Sequence, residues 1–146
     1  MSEVFISDDK QLLQVDVIHQ FLSEKAYWCL GIPKATIEKA IHNSLCFGMY
    51  KTNDKKQIGF ARVVSDKATF AWICDVFILE EQRGHGYSKM LMQHVMNILK
   101  PMNLRRISLG TKDAHALYKR FGFVPSEITE NYLELRNHNA YQKTTP

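Results

Sequence analysis

Arg83, Gly84, His85, Gly86, Tyr87 and Ser88 lie between an apolar run at 73–79 and an amphipathic helical stretch. The order of strand, glycine loop and helix start suggests a chemistry. The first amides of a helix have no partner inside it and point along its axis. With the helix dipole they form an anion site. Glycines at 84 and 86 remove side chains that would hold a phosphate away from those amides. The stretch reads as a pyrophosphate cradle. A dinucleotide fingerprint would need a third glycine where Lys89 stands, and the nucleoside-triphosphate loop spacing is absent.

What remains is Arg83-x-x-Gly86-x-Ser88. It resembles the R/Q-x-x-G-x-G/A signature of the GNAT family of N-acetyltransferases, which binds the pyrophosphate of coenzyme A. Ser88 replaces the usual Gly or Ala, but it is small and leaves its amide free. A second segment runs from Thr111 through Ala114, His115, Tyr118 and Gly122 to Phe123. It is similar to the family's N-x-x-A-x-x-x-Y-x-x-x-G-F stretch, with Thr111 in place of Asn. The two segments in this order are far more specific than either alone.

The resemblance implies acetyl-CoA as cofactor, no metal, and direct transfer of the acetyl group to an amine. It implies that Tyr118 protonates the leaving thiolate. It also implies that the run Val76, Phe77 and Ile78 lies along the pantetheine arm, with main-chain groups of Val76 and Ile78 serving there. Thr111, Ala114 and Tyr118 complete the implied cofactor set beside the cradle residues 83–88. Tyr27 and Trp28 fall where the family builds its acceptor pocket. Aromatic faces there attract an amine, or the rings plug the core.

The general base is open. Trp72 and Cys74 occupy positions where several members carry an acid. Asp75 is one residue off, and strand alternation turns it to the other face unless a bulge re-aims it. A carboxylate in so apolar a strand needs a partner, either a structural one (a backbone amide or His115) or a catalytic one. His115 lies three residues before Tyr118, on the same helical face. It is a candidate base, acting directly or through water, although a histidine so placed is more often a structural residue.

The elements that must position these groups follow from periodicity. The pattern predicts a strand at 3–7, a helix capped by Asp8 or Asp9 and running to about Lys25, and a loop at 26–32. Pro33 then opens a second helix. Strands at 44–52, 57–65 and 69–79 joined by short polar turns make an antiparallel meander. After the cradle helix comes a strand at 104–110, parallel to the cradle strand because a helical crossover joins them. A short helix at 113–120 and a final pair of strands follow, the clearer at 131–136, and 142–146 reads as a mobile tail. The expected fold is α/β, a mixed and mostly antiparallel sheet of GNAT type with helices on both faces. One domain is expected over 1–146, with a core at about 4–136.

The chain has 146 residues, 45% of them hydrophobic, which excludes a disordered chain. No apolar run is long enough to span a bilayer. The first ten residues lack signal-peptide regions, so the cytoplasm is the expected location. Cys29, Cys46 and Cys74 form an odd set without metal or disulfide spacing and read as buried thiols. The net charge of +4 is modest, and no basic cluster is interleaved with aromatics, which argues against a nucleic-acid partner. The leading reading is an acetyl-CoA-dependent N-acetyltransferase acting on a small-molecule or peptide amine. The alternative is a non-catalytic coenzyme A sensor on the same fold. Monomer and homodimer are both open.

Overall fold

The computed structural model describes residues 3–141. Five strands form one sheet in the order β1 (Val4–Ser7), β2 (Leu45–Lys51), β3 (Gln57–Ser65), β4 (Phe70–Ile78) and β5 (Arg106–Leu109). The first three pairings are antiparallel and β4–β5 is parallel. The mixed α/β sheet expected from the sequence is therefore present. Among the described residues no helix is long and apolar enough to cross a membrane.

Each sheet face has its own core. Helices α1 (Val15–Glu24) and α2 (Lys34–His42) bury Ile18, Leu22, Ile37 and Ile41 against Cys46, Phe60 and Phe77. On the opposite face α3 (Tyr87–Leu99) buries Leu91, Met92, Val95 and Leu99 against Phe47, Val63 and Ile73. The four α3 side chains recur at helical spacing, so one apolar stripe meets the sheet. Leu91 is fully buried. Leu91→Ala is expected to lower the unfolding free energy by about 2–5 kcal/mol, read from urea denaturation. A loss under about 0.5 kcal/mol would mean this stripe does not carry the core.

Two expectations fail for identifiable reasons. Asp9 caps only a short 3-10 turn at Lys10–Leu12, accepting from the Gln11 amide at 2.9 Å, and α1 starts at Val15. A reciprocal pair delays it. Gln14 donates its amide to Gln57 Oε1 at 2.8 Å, and the Gln57 amide donates to Gln14 Oε1 at 3.0 Å, holding Gln14 extended. The final pair of strands is also absent among the described residues. The stretch at 131–136 alternates like a strand but takes no partner, and Leu133 and Leu135 are fully exposed. Its side-chain tie to the sheet is Arg106 Nη1 donating to the Tyr132 hydroxyl at 3.4 Å. Alternation supplies a pattern, whereas a strand also needs a ladder of hydrogen bonds. The tail expected at 142–146 lies outside the described residues.

Candidate active site

The parallel pairing of β4 and β5 runs from Phe70↔Arg106 to Ile73↔Leu109 and stops. β4 continues to Ile78 with that edge unpaired among the described residues. Leu79 directs its N–H to Ile58 of β3 at 2.8 Å. Backbone groups alternate along a strand, so those of Val76 and Ile78 point to the open edge. Phe77 faces elsewhere: it pairs with Phe60 of β3, and its ring stacks on Phe21 at 4.1 Å.

β4 carries a bulge within this stretch. Phe60 pairs with Phe77 but Arg62 pairs with Cys74, leaving one extra residue on β4. Asp75 takes a left-handed φ of 53°, a region uncommon outside glycine that Asp and Asn enter more readily than other residues. Ala71 and Ile73 precede the bulge on the α3 face, and Ile78 follows it on that same face despite the change from odd to even number. The bulge turns Asp75 toward α1 and α2.

Beyond β4 a 3-10 turn at Glu80–Gln82 leads to the cradle, and Arg83 Nε donates back to the Ile78 carbonyl at 3.2 Å. Gly84 and Gly86 both have left-handed φ, 87° and 75°, and Gly86 is the N-cap of α3. A Cβ on either would meet nothing within 4 Å, so both open onto free space. The first intrahelical bond is from the Met90 amide to the Gly86 carbonyl at 3.2 Å, which leaves the amides of Tyr87, Ser88 and Lys89 outside the helical ladder. No side chain caps them and no acid stands in the first turn. Open space, unpaired donors and a positive helix end fit a diphosphate. The Tyr87 ring is buried in the core, with the exposed His85 ring 5.3 Å away, so Tyr87 offers the cradle its amide. A concavity of about 470 Å³ on the α1 side of the turn, lined by Phe21, Lys25 and Glu80 among others, shares only Arg83 with the cradle.

The second segment forms α4 (His115–Lys119) directly after β5. Thr111 Oγ1 accepts from the Ala114 amide at 3.1 Å, so its hydroxyl ties the loop into the helix start. His115 Nε2 lies 3.1 Å from the Thr111 carbonyl. A carbonyl only accepts, so Nε2 carries the hydrogen and Nδ1 is the free acceptor of the neutral ring. Tyr118 is buried in the cluster that holds Ile73, Ile78 and Tyr87, with half-buried Val76 against it. Its ring meets Phe123 edge-on at 5.9 Å. Gly122 at φ 92° ends α4 and turns the chain back. Burial raises the Tyr118 phenol above its ordinary value and the Asp113 charge adds to the rise, so the group keeps its proton at neutral pH.

The structure joins Asp75 to Trp28 and to two residues that sequence reasoning missed, Arg62 and, through it, Ser44. Arg62 Nε donates to Asp75 Oδ2 at 2.8 Å, and Trp28 Nε1 donates to Asp75 Oδ1 at 2.9 Å. Arg62 Nη1 donates to Ser44 Oγ at 3.0 Å. The partner of Asp75 is therefore neither a backbone amide nor His115. Tyr27 and Trp28 do not plug the core. They are 57% and 46% exposed and meet edge-to-face at 5.1 Å, with Lys112 Nζ 5.3 Å from the Tyr27 ring centre. Cys74 is half-buried rather than buried, and burial pushes its thiol up to about 11, which makes it a poor nucleophile at neutral pH.

A mixed sheet that opens between its two parallel strands and ends in a glycine turn with free helix amides offers a slot for an extended ligand that carries a diphosphate. The family model described as "Acetyltransferase (GNAT) family" matches residues 15–123, and the chain belongs to that family. Membership implies acyl-CoA-dependent acetyl transfer. A candidate GNAT acetyltransferase of Xanthomonas campestris pv. campestris, solved as a crystal structure, is 45% identical with a TM-score of 0.90, covering 98% of this chain and 99% of its own. A candidate acetyltransferase of Gibberella zeae is 31% identical over 134 residues, 80% of this chain and 76% of its own. A Mycobacterium tuberculosis protein crystallised with CoA and NLQ shares the fold alone, at 16% identity and a TM-score of 0.69 over 84% of this chain and 73% of its own.

Proposed function

We propose that the protein transfers the acetyl group of acetyl-CoA directly to the nitrogen of an amine acceptor. The observation that carries this is the continuous track from the unpaired edge of β4 to the cradle: Val76 and Ile78 face the gap, and Gly84, Gly86 and the first amides of α3 end it. When bound, acetyl-CoA supplies a thioester-activated acyl group. Main-chain groups of Val76 and Ile78 pair with the pantetheine arm as a strand would, and the 84–88 amides with Arg83 take the diphosphate. Thr111 and Ala114 shape the loop at the mouth of the gap. Tyr118 Oη gives its proton to the departing sulfur. His115 takes the proton of the amine at Nδ1, directly or through water.

A panel of amines (alkylamines, polyamines, amino acids and peptide N-termini) tests the reading. The expected result is one class that raises thiol release from acetyl-CoA above the amine-free rate and gains 42 Da. If thiol release is the same with and without every amine, the protein is not an N-acetyltransferase for these classes, and coenzyme A binding without turnover becomes the better reading.

His115 is read through pH. With it as base, kcat/KM rises with pH as the base loses its proton. His115→Ala is expected to abolish that rise, and Asp75→Asn to leave it. A profile unchanged in both would pass the base to solvent or to the acceptor's own equilibrium.

A further inference from the structure

Asp75 combines two features that do not favour stability. Its backbone is left-handed without being glycine, and its side chain forms a partly buried ion pair, 11% exposed against 21% for Arg62. Such features persist when the surroundings over-determine them, and they concentrate at functional sites. Here both carboxylate oxygens are engaged, one by Arg62 and one by the Trp28 indole. Arg62 is anchored in turn by Ser44, which is 8% exposed at the entrance to β2.

The loop that carries Trp28 is pinned by Cys29 and Ile32, both buried in the α1–α2 core. Its two aromatic side chains lie outside that core and need another tether. Trp28 receives it from Asp75 on β4, while Tyr27 reaches Lys112 on the link between β5 and α4. The two rings therefore connect the β4 and β5 sides beyond the last paired residues, Ile73 and Leu109. A ring face that already attracts an ammonium is suited to receive another.

We propose that Arg62 and Asp75 are positioning residues that hold Trp28, and through it Tyr27, as an aromatic seat for the ammonium of the incoming acceptor, a place now taken by Lys112. This rests on the amine-acetyltransferase reading above. Asp75 then serves as a clamp and not as the base. An acceptor that arrives as a cation displaces Lys112 Nζ, and neutral amides or alcohols gain nothing from the seat. The acceptor class is a primary amine that is protonated in solution.

The clamp can be read without any transfer. In a Trp72→Phe background Trp28 is the sole indole, and acrylamide quenching reports its restraint in the free protein. Asp75→Ala and Arg62→Met are expected to raise the quenching constant about twofold or more. Asp75→Asn, which retains an oxygen for the indole N–H, should stay close to the parent. Equal quenching in all four proteins overturns the clamp.

The seat is read with the amine found in the panel. Asp75→Ala is expected to raise its KM roughly three- to thirtyfold, the range that a cation–ring attraction spans, with kcat and coenzyme A affinity largely kept. Trp28→Phe keeps a ring, loses the donor and lies at the surface, so it folds where the charge variants fail, and the same KM rise is expected. An unchanged KM in Trp28→Phe overturns the proposal. So does a fall in kcat at constant KM with loss of the pH rise in Asp75→Asn, which would make Asp75 the base. If no amine is turned over, the seat has no ligand and falls with the parent reading, while the quenching contrast still reports on the clamp.

Discussion

Tyr118→Phe is expected to cut kcat by roughly a hundred- to ten-thousandfold, the usual worth of a positioned general acid. Phenylalanine keeps the ring, and with it the packing in the α3-side core and the edge-on contact with Phe123 at 5.9 Å. It removes only the hydroxyl and leaves the buried ring in place. The variant should therefore fold, and its coenzyme A affinity should match wild type within about twofold, since the cradle and the edge of β4 are untouched. Rapid-mixing kinetics with a good acceptor, alongside calorimetry for the cofactor, separate the two terms. Full wild-type turnover by Tyr118→Phe would remove the acid assignment and leave acetyl transfer in place. In a protein that only senses coenzyme A, no acceptor supports turnover even in wild type.

A side chain at Gly86 is expected to weaken coenzyme A binding by at least about tenfold, equivalent to about 1.4 kcal/mol. The space that a Cβ would enter is empty of protein, so the obstruction falls on whatever approaches the α3 amides. Conformation complicates the choice of residue. At φ 75° a β-branched valine is strained, at a cost of about 1–2 kcal/mol, whereas asparagine visits this region more readily. Gly86→Val should therefore lose both affinity and melting temperature, and Gly86→Asn mainly affinity. Ser88→Gly should be nearly silent, because Ser88 offers the cradle its backbone. Equal cofactor affinity for Gly86→Asn and wild type would place the diphosphate elsewhere.

The cradle was legible because its physics is local. Two glycines between an apolar run and an amphipathic helix state both the left-handed turns and the exposed amides. The place of Tyr118 on a short helix closed by Gly122 was legible through the spacing that joins it to Ala114 and Gly122. Asp75 was legible as a problem, a carboxylate in an apolar strand, but its solution was not. The bulge depends on how β3 and β4 pair, and residue types alone do not reveal that one position opposite Ala61 holds two residues. A signal for Arg62 did exist. It is a lone charge in an apolar strand, joined by a short turn to the strand that carries Asp75, and a symmetric hairpin sets it opposite Cys74. Two solitary opposite charges on neighbouring strands predict each other. The unformed strands near the C-terminus mark the opposite limit, where the 131–136 pattern is correct and the ladder is missing.

The single extra residue in β4 acts as a frameshift within the strand. Ahead of it, odd-numbered side chains face α3, and after it even-numbered ones do. Removing position 75 would join Ala71, Ile73, Val76 and Ile78 into one uninterrupted alternation, the phrase that an ordinary amphipathic strand would carry. The apolar alternation of the strand thus makes no use of this residue, whose carboxylate instead pairs with Arg62 and Trp28, and its φ of 53° works against the strand. Such a position is separable from the scaffold. An inserted residue gains a side chain on the other face without altering what the strand buries, so the α1–α2 face can diversify while the α3 face keeps its register.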